Sequence, residues 1–297
     1  MIFQLFFIKC RKQIAFCPEK HLHTAAAGVY SSGDKKSRMG REIISKERCI
    51  MIIDIHTHNF ERQGTAPVVE GAKRNGIDKI VLLGDVLRHG YYPTPEQIVK
   101  INDDTIADVE KYAGFCYGFC HLNPSHSGEF QVQEMRRVLS KKDFCGVKLE
   151  CSWNCRKPEM DPIMEELEKQ DRILLHHCWY KTTGKCDEES DPSDIAYLAR
   201  RWPNVTIVMA HLAGCGIKGV EMIADCPNVL VDTSGGQPEA GFIEYAIRRI
   251  GAERLVYGSD APCRDYAPQL AKIAEADISD ADRELILYKN TERILKI

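Results

Sequence analysis

Short apolar runs alternate with amphipathic segments along most of this chain. Continuous apolar runs of this kind are typical of parallel strands that are covered on both faces. They therefore predict eight buried strands. The runs are residues 51–57, 78–83, 114–120, 144–149, 172–177, 205–210, 228–232 and 254–258.

Helical patterns separate most of these strands. Some begin with clear start signals, such as Thr94 as a cap before Pro95 at the first helical position. Alternation of strand and helix over the whole region, with no internal break, predicts a single-domain (β/α)8 TIM barrel. The predicted helices are residues 95–112, 128–141, 160–170, 191–202, 216–226, 238–250, 266–276 and 279–296.

A doubly wound open sheet is the alternative fold. A dinucleotide-binding sheet of that kind carries a glycine-rich G-x-G-x-x-G turn after its first strand. Here the first strand is followed by histidines instead. The chain of 297 residues is also long enough for two domains, but a single barrel of roughly 250 residues accounts for residues 51–297.

The first fifty residues differ from the rest, because they show no clear hydrophobic period. The apolar run Met1–Ile8 is much shorter than the ~20 residues of a membrane span and has no basic segment before it. We interpret residues 1–50 as a disordered extension or as translation from a misassigned upstream start. With no longer apolar run elsewhere, we expect a cytoplasmic protein without a membrane partner.

Composition and charge narrow the class further. The chain is 44% hydrophobic and 28% charged, with a net charge of −3, and no block of like charge suggests a nucleic-acid partner. Its 13 cysteines cannot all pair within the chain, and their spacing does not match a zinc ribbon. We expect buried thiols in a reducing compartment. A homo-oligomer is compatible with this composition.

The first strand ends in the most informative residues of the chain, Asp54-Ile-His56-Thr-His58. Side chains two residues apart in a strand point to the same face, so His56 and His58 should project together, with Asp54 behind them. Two imidazoles on one face near a strand end form half of a metal site.

Other predicted strands end in groups that could complete this site. The carboxyl ends of barrel strands meet in one cleft, so we expect these groups to lie close together. Parity places His177 with Leu175 on one face and His176 with Leu174 on the other, without saying which face looks inward. The groups are Lys148 and Glu150 after strand four, His176 and His177 after strand five, His211 after strand six, and Asp260 after strand eight.

This ordered set of motifs resembles the amidohydrolase superfamily. D-x-H-x-H, the strand-four lysine, the strand-five and strand-six histidines and the final Gly-Ser-Asp260 are more closely similar to the amidohydrolase-2 branch, which includes aminocarboxymuconate-semialdehyde decarboxylase. The resemblance covers about residues 51–297. In that branch the strand-five ligand precedes a small residue and often a tryptophan, which here implies His177 before Cys178 and Trp179.

The resemblance implies a role for each matching residue. Asp260 would also be the general base, His211 would stabilise an oxyanion or orient the nucleophile, and Asp54 would support the site. Lys148 would either be carboxylated and bridge two ions, or bind a substrate carboxylate. Nitrogen and oxygen ligands suit Zn²⁺ best, with Mn²⁺ or Fe²⁺ as alternatives. The site would bind either one or two of these ions. The implied metal ligands are His56, His58, His177 and Asp260.

Substrate groups are less clearly marked. Arg264 follows strand eight and Arg88 follows strand two, and an arginine in such a loop could bind a substrate carboxylate bidentately. A surface ion pair is the alternative for each. Trp153 and Trp179 could line the pocket or pack in the interior.

The leading interpretation is a metal-dependent hydrolase that acts on a small polar molecule, such as one carrying a carboxylate. A metal ion would lower the pKa of its bound water toward ~7. Within the same branch, non-oxidative decarboxylation is the alternative. A metallo-deoxyribonuclease is a further candidate, but that branch uses a glutamate where this chain has Lys148. A non-enzymatic, metal-stabilised binding barrel would need neither Asp260 nor His211.

Overall fold

The protein forms a closed barrel of parallel strands. A computed structural model describes residues 50–236 and 239–297, so residues 1–49 of the predicted extension and the start of the predicted helix 238–250 lie outside the described residues. Eight strands form one sheet in the spatial order β1-β2-β4-β5-β6-β7-β8-β9. They are β1 (Ile53–Thr57), β2 (Lys79–Leu82), β4 (Cys116–Leu122), β5 (Phe144–Leu149), β6 (Ile173–His176), β7 (Ile207–Met209), β8 (Val229–Asp232) and β9 (Leu255–Val256). A further strand, β3 (Arg88–Tyr91), is outside this sheet.

Backbone hydrogen bonds join β1 to the segment that follows β9. The Ile55 amide donates to the Tyr257 carbonyl across 3.0 Å, and the Asp260 amide donates to the His56 carbonyl across 2.8 Å. The His58 amide donates to the Ala261 carbonyl across 2.7 Å. The sheet thereby closes, and the predicted (β/α)8 TIM barrel is confirmed.

Helices follow the strands and cover the outside of the sheet. They are α1 (Ala66–Arg74), α2 (Pro95–Lys111), α3 (Gly128–Leu139), α4 (Asp161–Gln170), α5 (Pro192–Arg201), α6 (Leu212–Met222), α7 (Phe242–Ile250), α8 (Tyr266–Ala274), α9 (Asp280–Glu284) and α10 (Asn290–Leu295). The sequence pattern missed α1, and the predicted helix 279–296 is divided by a π-helical turn at Leu285–Lys289. Helix α2 starts as predicted, because Thr94 and Gln97 form a capping box.

Helix α6 begins directly after His211 rather than at residue 216. Gly216 has φ 65° and ψ −170° inside it, so the helical period is broken at that glycine. The sequence pattern therefore showed only the part after the break. The earlier start matters for the site, because it brings the first turn of the helix next to His211.

Apolar side chains pack on both faces of the sheet. The larger cluster lies between sheet and helices and includes Ile80, Val147, Leu149 and Leu174. The smaller cluster fills the inside of the barrel below its mouth. Its members from the strands include Ile55, Val81, Phe119, Leu175, Val208, Leu230 and Val256, and Ile294 and Leu295 of α10 join them.

Strand β1 contains an irregularity that changes which side chains face inward. Asp54 is in register with Ile80 but Thr57 with Leu82, so three steps on β1 match two on β2. Ile55 lies in the interior cluster, and the shift allows His56 to face the interior as well. Asp54 shares the outward face of Ile80, so the expectation that Asp54 shares a face with the histidines is wrong.

Every cysteine in the part of the chain that the structure describes is a free thiol. Eight of these ten are buried, Cys186 is partly exposed and Cys263 is exposed. Burial fits the interpretation that the cysteines act as small apolar residues. Among residues 50–236 and 239–297, we find no helix with the length and apolar character needed to cross a membrane.

Candidate active site

His56 is oriented by a buried carboxylate at the end of β8. Its Nδ1 lies 2.8 Å from Oδ2 of Asp232, and both side chains are buried. A carboxylate accepts hydrogen bonds, so Nδ1 carries the proton and Nε2 keeps its lone pair. Nε2 is buried and has no hydrogen-bond partner among the described residues. This is the arrangement of an imidazole that binds a metal through Nε2.

His58 is held in the same Nδ1-protonated tautomer by a backbone carbonyl. Its Nδ1 lies 3.2 Å from the Gly84 carbonyl oxygen, which can only accept, so Nε2 again keeps its lone pair. Gly84 follows β2 with φ 84°, and a Cβ there would lie 2.8 Å from Ile101. Glycine is therefore needed to bring that carbonyl under His58.

Asp260 completes a group of three possible ligands. Its Oδ1 lies 3.6 Å from His56 Nε2 and 3.5 Å from His58 Nε2, and the three ligand atoms lie within 4.8 Å of one another. Burial alone would raise the pKa of the Asp260 carboxyl, but its interactions with the nearby histidines hold that pKa well below its usual range. Two lone-pair nitrogens and a carboxylate fit a divalent cation.

Asp232 connects the ligand pair to His211. His56, His211 and Asp232 form a second group of possible ligands within 4.8 Å. The His211 ring lies 5.0 Å from the His56 ring between centroids, and 5.1 Å from that of Trp179. Burial lowers the pKa of His211 well below its usual value, so the ring is neutral. Sequence reasoning missed Asp232, although its position at the end of the predicted strand 228–232 was a usable signal.

His177 lies beside this cluster rather than in the group of three ligands. Its Nε2 is 2.8 Å from Oε1 of the buried Glu189, and its Nδ1 is 3.8 Å from Oε2 of Glu150. Its ring centroid is 5.1 Å from that of His211. Glu189 was missed, because it sits in an irregular loop twelve residues after His177, where no pattern marks it.

His176 faces the helices. It is in register with Leu149, which packs in the outer cluster, whereas Leu175 packs inside the barrel. Its Nδ1 lies 2.6 Å from the His177 carbonyl, and burial lowers its pKa to about 4. Parity therefore gives His177 the inward face.

Lys148 forms an ion pair inside the cleft. Its Nζ lies 2.9 Å from Oε1 of Glu150, and both side chains are buried. Burial alone would raise the pKa of Glu150, but the charge of Lys148 and the histidines hold it well below its usual range. His121, in register with Lys148 on β4, is a further buried histidine that the sequence reading passed over.

The two arginines have different surroundings. Arg264 Nε lies 3.5 Å from Asp260 Oδ2, and its guanidinium carbon is 5.9 Å from the Trp179 ring centroid. Arg88 is held by two carboxylates, Glu61 and Asp104, each at 2.7 Å. Arg264 is thus next to the ligand group, and Arg88 is occupied elsewhere.

The tryptophans divide in the same way. Trp179 packs against His211, as described above. Trp153 lies beneath Lys157, with Nζ 3.9 Å from its ring centroid. Of the two, Trp179 is the one that the structure brings to the cluster of histidines.

A (β/α)8 barrel with a buried histidine–aspartate group at the carboxyl ends of its strands is an arrangement typical of metal-dependent enzymes. The amidohydrolase-2 family model, described as Amidohydrolase, matches residues 53–297, so the chain belongs to the amidohydrolase family. The predicted resemblance is confirmed. No curated protein sequence matches the chain.

Solved structures of similar fold include decarboxylases. The 5-carboxyvanillate decarboxylase of Sphingomonas paucimobilis is 15% identical with a TM-score of 0.67, over 84% of this chain and 99% of that one. A dihydroxybenzoic acid decarboxylase of Polaromonas sp. JS666, with bound manganese, is 16% identical with a TM-score of 0.64, over 83% and 97%. A Staphylococcus aureus protein provisionally described as an amidohydrolase is 15% identical with a TM-score of 0.68, over 83% and 100%. At these identities the comparisons show a shared fold. Membership of the family and the histidine and aspartate groups of this chain support a divalent metal cofactor.

Proposed function

We propose that this protein is a metal-dependent hydrolase of a small, carboxylate-bearing substrate. The observation that carries the proposal is the convergence of His56 Nε2, His58 Nε2 and Asp260 Oδ1 in a buried group. Both imidazoles have their other nitrogen occupied, by Asp232 and by the Gly84 carbonyl. The group therefore consists of three lone-pair donors with no proton between them.

These three residues would hold one divalent ion. Imidazole nitrogen and carboxylate oxygen suit Zn²⁺, which we propose as the occupant, while the manganese of the Polaromonas relative makes Mn²⁺ the alternative to test. When bound, such an ion supplies positive charge that acidifies water and polarises a substrate oxygen. His177 was expected as a further ligand, but in this structure its Nε2 is bonded to Glu189.

Asp260 would act as the proton acceptor. Its pKa is low, so its carboxylate is ionised at neutral pH. It can take a proton from a water molecule in the cleft and return it to the leaving group. His211, in contact with His56 and Trp179, would act on the nucleophile or on the developing oxyanion.

Two cations favour an anionic substrate. Arg264 lies at the edge of the ligand group, about one-third exposed, with Nε lacking a good hydrogen bond. Lys148 is inside the cleft, and its ion pair with Glu150 favours a single metal ion. Carboxylation of Lys148 would place a second negative group against Glu150, which is unfavourable without a second cation.

Decarboxylation is the second candidate. It is favoured by the decarboxylases among the proteins of similar fold. It is also favoured by the two cations Arg264 and Lys148, which could hold the carboxylate that leaves. The two reactions need different proton transfers. Hydrolysis takes a proton from water, whereas decarboxylation must finally deliver one to carbon.

The test is a substrate panel on protein loaded separately with Zn²⁺ and with Mn²⁺. The panel contains carboxylated lactones, esters and amides, together with hydroxybenzoic acids. Acid release is followed with a pH indicator and carbon dioxide release with a coupled assay, each against Asp260→Asn. Acid release alone supports the hydrolase. Carbon dioxide release replaces that proposal with the lyase, and no turnover with either ion contradicts both.

A further inference from the structure

Asp232 binds more than the ligand His56. Its Oδ1 accepts the backbone amide of His211 at 3.2 Å and the backbone amide of Ser234 at 2.9 Å. The Ser234 hydroxyl also donates to Oδ1. Asp232 and Ser234 are both fully buried, and both oxygens of Asp232 are occupied: Oδ1 by two backbone amides, which can only donate, and Oδ2 by His56.

Only one assignment of donors and acceptors fits the contacts that run from Asp232 through Ser234 to His211. Oδ1 receives two backbone amide protons and therefore acts as an acceptor, so the single Ser234 hydroxyl proton must point to it. The Ser234 oxygen can then only accept from its other neighbour. That neighbour is His211 Nδ1, at 2.9 Å, which must therefore carry the ring proton. Nε2 of His211 is left with the lone pair.

We propose that Ser234 is a positioning residue that fixes His211 in the Nδ1-protonated tautomer. In that state Nε2 accepts a hydrogen bond from a water molecule or a substrate hydroxyl. It cannot donate one to an oxyanion, so of the two roles considered for His211 only orientation of the nucleophile survives. This last step rests on the proposed function, whereas the tautomer itself does not.

The backbone around His211 and Ser234 also restricts the position of the His211 ring. His211 has φ 68°, a conformation that non-glycine residues rarely adopt, and its amide is held by Asp232. Gly235, next to Ser234, packs so closely that a Cβ there would lie 3.1 Å from His211 Cβ. The ring is thus held from three directions: by the Ser234 hydroxyl, by the backbone and by the Trp179 ring.

The test reads the tautomer directly. Zn²⁺-loaded protein labelled with ¹⁵N-histidine is examined by long-range ¹H–¹⁵N correlation, and the His211 signal is assigned by its loss in His211→Gln. We expect an Nδ1–H ring in the wild type. In Ser234→Ala we expect a substantial Nε2–H population, with kcat on a turned-over substrate lowered ~10-fold or more and KM nearly unchanged.

Control variants separate positioning from folding. Ser234→Thr keeps the hydroxyl and should restore both the Nδ1–H signal and kcat. Ser190→Ala removes another buried serine hydroxyl, one that accepts the Cys155 amide, and should change neither. An Nε2–H ring in the wild type, or an unchanged ring signal in Ser234→Ala, would overturn the inference. Because the tautomer is read without turnover, failure of the proposed hydrolase activity remains distinguishable.

Discussion

Oδ1 of Asp260 lies 3.5 Å from Nε2 of His58, and neither of these two atoms carries a proton. His58 has its proton on Nδ1, toward the Gly84 carbonyl. Two electron-rich atoms therefore face each other in a buried cleft, which is unfavourable unless a cation joins them. His58 and Asp260 thus belong to the group of three possible metal ligands, and Asp260 is also the proposed general base.

Replacing Asp260 by Asn should lower kcat/KM at least ~10²-fold, because the amide cannot take a proton from water. The variant keeps the size of the side chain, so thermal unfolding should change little. Steady-state kinetics at saturating metal measures the effect. Near-normal turnover of Asp260→Asn would remove its assignment as the base.

His58→Ala should weaken metal binding much more than His177→Ala. His58 offers a free lone pair within the group of three, whereas His177 Nε2 is bonded to Glu189. We expect at least a ~10-fold rise in the metal dissociation constant for His58→Ala, measured by competition with a chelating dye. Equal losses in the two variants would instead make His177 a full ligand.

Protein purified without a chelating tag should contain about one divalent ion per chain. The ion pair of Lys148 with Glu150 favours an unmodified lysine over a bridging, carboxylated one. Inductively coupled plasma mass spectrometry gives the stoichiometry, and intact mass gives the state of Lys148. Two ions per chain together with a mass increase that depends on Lys148 would contradict the single-ion site.

Arg264→Ala should raise KM for a carboxylate substrate with a smaller effect on kcat. The guanidinium lies beside Asp260 and Trp179, where it can bind an anion without taking part in proton transfer. Arg88→Ala is the matched control, because its guanidinium is occupied by Glu61 and Asp104. A KM increase with Arg88→Ala but not with Arg264→Ala would reverse the assignment of the two arginines.

Acid should destabilise the metal-free protein partly through His176. Burial lowers its pKa to about 4 in the folded chain, whereas the unfolded value is near 6.5. Between these values the unfolded state binds more protons, so stability is lost as pH falls from ~6.5 to ~4, by up to about 3 kcal/mol for this group. Urea unfolding across that range should show a smaller pH dependence for His176→Asn. Identical slopes in wild type and variant would contradict the assignment.

The sequence predicted the barrel and most of the cluster for one physical reason. Parallel strands show their burial as apolar runs, and their carboxyl ends converge. His56, His58, His211 and Asp260 all stand directly at such ends, so their neighbourhood could be inferred before their distances were known. Parity separated His176 from His177 without saying which one looks inward, and the inward face of His177 became clear only when the structure placed Leu175 inside the barrel.

Other parts of the site depend on contacts that no local pattern records. Glu189 reaches His177 from an irregular loop, and Gly84 contributes only a carbonyl. Ser234 lies two residues beyond its partner Asp232, in a segment without strand or helix periodicity. Asp54 was assigned to the wrong face because strict alternation was assumed across a register shift.

That register shift in β1 also has an electrostatic consequence. It allows His56 to face the interior directly after Ile55, which belongs to the interior apolar cluster together with Val256 and Leu230. The imidazoles therefore rest on hydrocarbon, and a charge bound beside them would be screened by solvent only from the open end. An ion or a substrate anion arriving from that end is felt more strongly than it would be in a water-filled channel.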